Sequence, residues 1–185
     1  MEIRKKDDAA SKVLDGSITE QSELADKIQN LHIFFKLLIP DISAEEDQLL
    51  DEALINVYKN KGITHDNSTL YDPSDPTKYR EMPILGDVYE KLYTNPDSRR
   101  IANIMNRLVH GSASSFNQQT NVDLDNPYTV IDISKLTGEL LLAGMFIATD
   151  WAYSKAKENR TKKKVIIIDE VWELIGSKSN VKAAE

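Results

Sequence analysis

Two acidic residues, Asp169 and Glu170, directly follow four β-branched apolar residues, Val165 to Ile168. An unbroken apolar run of this kind fits a strand covered on both faces. Acids at the carboxyl end of such a strand lie where open α/β sheets bind ligands. There the pair divides the work: Asp169 accepts from magnesium-bound water, and Glu170 polarises the attacking water. The pattern is that of a Walker B motif. Acids that only cap a sheet edge or face solvent leave the same trace. The length of the run, a strand–helix–strand pattern before it and Trp172 after it favour the nucleotide reading. The partner loop, G-x-x-x-x-G-K-[ST], is absent from the chain.

Other chemistry-bearing residues are less organised. Lys162 to Lys164 stand just before the apolar run, within reach of phosphates or DNA. A solvated helix end, where cations suit the dipole, is the plainer reading. His32, His65 and His110 are scattered, with no H-x-x-x-H and no His–acid pair of metal spacing, so they read as structural. Asp72, Asp75 and Asp87 do not make a calcium-loop spacing. Arg99 and Arg100 open a helix, where the dipole disfavours cations. They are either a solvated pair, which is favoured, or a sign of a nearby phosphate or carboxylate. No G-x-S-x-G elbow exists.

The elements that must position these residues fall into two groups. Ser17 and Glu20 have capping-box spacing, and Leu24, Ile28, Leu31, Phe35 and Leu38 continue as a helix that Pro40 stops. Ser43 and Glu46 form a second capping box ahead of Leu49, Leu50, Ala53, Leu54 and Val57, with Gly62 as the C-terminal cap. These two helices are expected to pack antiparallel. Residues 63–83 read as loop. Ile84, Leu85, Val88 and Leu92 predict a short helix. Pro96 opens another that carries Ile101, Ile104, Met105 and Leu108 and ends at Gly111. Residues 111–126 are small and polar: a flexible connector, or a loop with a partner. Beyond them Val130, Ile131 and Ile133 signal a strand, and residues 137–159 a helix with Leu140, Leu141, Met145, Ala148, Trp151 and Ala152. With Val165 to Ile168 this makes a βαβ unit with neighbouring parallel strands. The expected division is a lead-in at 1–16, an all-α subdomain at 17–110, a connector at 111–126 and an α/β part at 127–185.

Composition narrows the class. A net charge of -7 argues against a free-standing nucleic-acid binder. The absence of cysteine excludes disulfides and thiolate metal sites. Met1 precedes a charged segment without an apolar core, so no secretory signal is expected. The apolar stretch Leu140 to Thr149 is about half of the roughly 20 residues a membrane span needs, and reads as a core helix.

VIIIDEVWEL, Val165 to Leu174, resembles the D-E-A-W segment of the conjugative-transfer ATPases of type IV secretion systems, the VirB-four (TraE/TraC-like) class. Val171 stands where that family usually has alanine. YTVIDISKL, Tyr128 to Leu136, resembles the family's strand before its long crossover helix. REMPILGDVYEKL, Arg80 to Leu92, resembles its proline-containing entry into an all-α insertion. MEIRKKDD, Met1 to Asp8, resembles the family's segment after its second core strand. The resemblance implies an α/β, helix-rich chain: part of a RecA-like P-loop NTPase core plus an inserted helical subdomain. It implies a parent that hydrolyses ATP with Mg²⁺ at the cytoplasmic face of a membrane complex, with Asp169 in the metal role and Glu170 as the catalytic glutamate. Implied partners are the rest of the motor domain, other secretion components and further copies of the parent, with DNA a further candidate. The family's phosphate-binding lysine and its glutamine-bearing sensor segment have no counterpart here, so the chain is expected to be a cut piece, inactive alone. Two rival readings stand beside it: a non-catalytic helical interaction module, and a piece of a related DNA-pumping ATPase.

Overall fold

A computed structural model of the chain describes residues 22–119, 126, 128–158, 161 and 163–169. The chain divides into two compact units, with the boundary between 127 and 128. The described part of the first unit is helical, with one small hairpin. Helix α1 spans Glu23–Leu38 and α2 spans Ala44–Asn60. Strands β1 (Tyr71–Asp72) and β2 (Asp75–Tyr79) pair antiparallel. Helices α3 (Leu85–Tyr93) and α4 (Arg99–Val109) follow.

Each helix end has a chemical reason. Helix α1 opens on Ser22, whose Oγ accepts from the Ala25 N–H at 3.3 Å. The cap therefore lies later than the expected Ser17–Glu20 box, and those two residues are outside the described ones. Helix α2 begins with the expected capping box. Ser43 Oγ accepts from the Glu46 N–H, and the Glu46 carboxylate accepts from the Ser43 N–H at 3.0 Å. It ends in a Schellman turn, with Ile63 N–H donating to Tyr58 O and Gly62 N–H to Lys59 O. Gly62 takes φ +76°, the left-handed region that favours glycine. Asp87 caps α3 by accepting from the Ile84 N–H at 2.8 Å. Gly111 is required after α4 for a different reason. Its φ is not positive, but a Cβ there would lie 2.9 Å from the Arg107 backbone.

The apolar stripes meet in one core. Leu24, Ile28, Leu31 and Phe35 of α1 are buried, as are Leu50, Ala53, Leu54 and Val57 of α2. Val88 and Leu92 of α3 join Ile101, Met105 and Leu108 of α4. Ile104, expected inside, is 40% exposed. Helices α1 and α2 run antiparallel, because His32 meets Asp51 while Lys36, one turn on, meets Asp47.

Three features differ from the sequence expectation. Residues 63–83 are not all loop. Tyr71 pairs with Tyr79 across the hairpin, and their rings stack at 5.1 Å. Asp72 and Asp75 each accept from a backbone N–H two residues on, which sets the turn. Second, Arg100 is paired with carboxylates while remaining partly exposed. Its Nη1 donates to both Glu46 oxygens, at 2.9 and 3.0 Å, and its Nη2 to Asp41 at 2.6 Å. Third, residues 111–119 are held within their own unit. Asn117 Oδ1 accepts from the Gly86 N–H at 2.7 Å, and Gln119 Nε2 donates to Met82 O.

Glu46 thus serves cap and ion pair together. The Ser43 N–H, opposed by partial burial and assisted by Arg100, holds its carboxyl below the usual range. A lowered carboxylate stabilises the fold above its unfolded value and loses that contribution as pH falls through the folded one. Wild type should therefore exceed Glu46→Gln in stability at neutral pH and converge with it below about pH 4. Urea melts at several pH values check this. Ser43→Ala and Gly62→Ala should each lower the unfolding free energy by about 1 kcal/mol in the same melts.

Candidate functional site

In the second unit the sequence-predicted site hangs on one helix, α5, which spans Glu139–Glu158. Glycine shapes its approach twice. Gly138 takes φ +57° just before the first turn. Gly144 leaves a notch that the Leu136 side chain fills, since a Cβ there would clash with Leu136 Cδ1. Asp132 sets the preceding turn by accepting from the Ser134 N–H at 2.9 Å. That backbone bond and the Ser134 hydroxyl hold the Asp132 carboxyl below its ordinary value. Leu140, Ala143 and Met145 are buried. The Trp151 indole N–H is buried with no acceptor among the described residues.

The two expected parallel strands are not formed. Residues 128–133 and 163–168 carry no strand hydrogen bonding, and among the described residues the β1–β2 hairpin is the only sheet. Val165 and Ile167 are 84% and 87% exposed, and Tyr128 and Val130 are exposed too. The physical reason is that a strand cannot satisfy its own backbone or cover its own side chains. Two short extended segments are marginal as a sheet, and a single helix covers only one face. The described residues thus show two extended apolar segments flanking a helix, without strand pairing between them.

Asp169 sits exposed at a bend directly after that run. Glu170, its expected catalytic neighbour, lies outside the described residues, as do Val171 and Trp172. Lys164 Nζ donates to Ala156 O at 2.7 Å, so this lysine serves the carboxyl end of α5, as the dipole favours. Lys163 is exposed, and Lys162 is outside the described residues.

Among the described residues no group of three or more His, Asp or Glu gathers to hold a metal. The donor available at the end of the run is a single carboxylate. That fits magnesium, which keeps most of its waters and takes one or two carboxylates beside substrate phosphates. A phosphate-cradling G-x-x-x-x-G-K-[ST] loop does not lie in the sequence.

The histidines are placed more specifically than the sequence suggested. His65 Nδ1 meets Ser22 Oγ at 3.1 Å, and His110 packs edge-on to Tyr89. His32 lies between Asp47 and Asp51 of α2. The signal existed: His32 and Lys36 are spaced i,i+4 on one helix, and Asp47 and Asp51 likewise on the next. Arg99 turns back toward Tyr93. Its guanidinium stacks 4.4 Å from the Tyr93 ring and donates to Tyr93 O. No helix of the described residues is long and apolar enough to cross a membrane.

The fold defines a helix-rich class: a closed α-helical unit with a small hairpin, then a second unit built on one long helix. Within that class the chain is VirB4-like. It superposes on the solved structure of VirB4 of Thermoanaerobacter pseudethanolicus with a TM-score of 0.74 and 29% sequence identity. The match covers 87% of this chain and 62% of that one, so the chain spans less than two thirds of that protein's length. No family model matches the chain, and no curated protein does. The likeness agrees with the VirB-four resemblance read from Val165 to Leu174.

The exposure of the apolar run generates a direct test. Val165→Thr and Ile167→Thr should shift the stability of the 185-residue chain by no more than about 0.5 kcal/mol, as exposed positions do. Val88→Thr, at a fully buried site, should lose about 1–3 kcal/mol by burying an extra hydroxyl. Denaturant melts of the three variants compare them.

Proposed function

We propose that this chain is part of an ATP-hydrolysing motor of the type that powers type IV secretion or conjugative transfer. The observation that carries the reading is the β-branched run, largely exposed and ending at Asp169, in a chain that is VirB4-like. Such a run is built for a sheet that other residues complete, a partial P-loop core. In that core Asp169 would hold a magnesium-bound water through its carboxylate, and Glu170 would accept the proton of the attacking water. Magnesium supplies charge neutralisation of the phosphates when bound. The phosphate-gripping lysine and backbone would come from the remainder of the motor.

The parent works, in this reading, with other secretion components and with further copies of itself, peripheral to the inner face of a membrane. DNA is a further candidate partner. A second reading has an observation of its own. The first unit closes a complete core from α1 to α4, as a free-standing helical interaction module would.

The two readings part on turnover. In the intact protein Glu170→Gln should leave nucleotide binding largely unchanged and lower hydrolysis by at least about 100-fold, the scale of a lost general base. Normal hydrolysis by that variant sinks the assignment of Glu170. The purified 185 residues should show no ATPase turnover, because positioning and charge stabilisation of the phosphates are both missing. Phosphate release assays on both proteins check this.

A further inference from the structure

We propose that the run Val165 to Ile168 is a self-pairing edge. Two copies of this chain join through it as antiparallel strands, with Lys164 of each copy opposite Asp169 of the other. Among the described residues, the backbone N–H and C=O groups from Val165 to Ile168 make no hydrogen bond. An open row of this kind is a template for another strand. Side-chain exposure alternates along the run, at 84% for Val165, 45% for Ile166, 87% for Ile167 and 42% for Ile168. Two-residue alternation marks an extended segment, here with one face half covered and the other open. The run holds no proline or glycine, and its β-branched side chains suit a pleated surface.

Charge decides the occupant and the direction. Lys162 to Lys164 precede the run, and Asp169 and Glu170 follow it. Parallel pairing of two copies in register would set lysine against lysine and acid against acid, and like charges directly opposite are destabilising. Antiparallel pairing reverses one strand. With Ile166 opposite Ile167 of the other copy, Val165 meets Ile168 and Lys164 meets Asp169. Two-fold symmetry makes each contact twice. A slip of one residue in either direction sets an acid against Val165 or a lysine against Ile168, so this register is the one that matches every position from Lys164 to Asp169.

Lys164 and Asp169 are both exposed. The Lys164 ammonium has three donors, so it can hold Ala156 O and a carboxylate together. Read antiparallel, the complement of a basic–apolar–acidic segment is another basic–apolar–acidic segment. The chain therefore carries its own complement. The other open segment, Tyr128 to Ile133, does not supply it. Pro127 precedes it, and Asp132 lies inside it, bonded to the Ser134 N–H.

Sedimentation of the 185-residue chain is the test. Wild type should pass from monomer toward dimer over roughly 1–200 μM, a range that brackets micromolar affinity. Lys164→Glu and Asp169→Lys should each weaken the dimer by about tenfold or more, since each sets two like-charge pairs in place of two ion pairs. An equimolar mixture of these two variants should recover wild-type association, because each copy then meets an opposite charge on the other. The double variant Lys164→Glu/Asp169→Lys should do the same alone. Circular dichroism should show equal helix content in all of them. A wild type that stays monomeric over the range overturns the proposal. So do assemblies that grow beyond a dimer, single variants that associate as tightly as wild type, or a mixture no tighter than either variant alone. The outcome is independent of ATP hydrolysis: in a motor, neighbouring strands would compete for the same edge.

Discussion

A helix bonds its own backbone, and a strand must borrow its partners from elsewhere. That difference governs both units of this chain. The first unit is built almost wholly from helices, and several of their ends are closed by a local device: a serine, an aspartate or a glycine turn. Its apolar stripes then need only one another, and they meet with Phe35, Leu54, Tyr58, Val88 and Ile101 essentially free of solvent contact. Among the described residues the second unit has one helix and two apolar segments rich in β-branched residues. Such segments are stable only between lateral neighbours and under cover. Without lateral neighbours among the described residues and with cover on one side only, much of the apolar surface faces water, and Asp169 is exposed as well.

Within the first unit the polar contacts do more than decorate the surface. Glu46 joins the capping of α2 to the Arg100 fork, so the start of α2 and the start of α4 share one carboxylate. This removes the puzzle of two arginines at a helix N-terminus. Arg100 is held by carboxylates that offset the unfavourable dipole, and Arg99 turns back to the Tyr93 carbonyl and ring. Ser98, the one buried polar residue among those described, donates to Leu92 O and so leaves no orphan where α3 turns into α4.

The sequence was legible wherever the determining interaction is local. The Ser43–Glu46 box, the Gly62 cap and the stripes of α1 to α4 depend on residues within a turn or two, and period and cap chemistry predict them. The hairpin was missed because Pro73, Ser74 and Pro76 read as loop, whereas its pairing rests on Tyr71 stacking on Tyr79. The partners of His32 and Arg100 were missed because they lie 15 to 59 positions away along the chain. Ile104 fits the stripe of α4 by spacing yet faces out, since α4 packs through Ile101, Met105 and Leu108. The strands were legible as strand-forming sequence, but whether they form depends on neighbours that no local pattern can supply.

The candidate site obeys the same division. Asp169 and Glu170 owe their chemical meaning to being fixed at a strand end, because a carboxylate orients water only if its own backbone is held. On a bare extended segment an acid is an ordinary surface charge. In the proposed motor reading, catalytic competence and sheet formation are one event: whatever completes a sheet around Val165 to Ile168 would also position the acids. The helical unit meets no such condition, since its core is closed within residues 22–119. In that reading, loss of a neighbouring strand would remove the cover, the register and the carboxylate's position together.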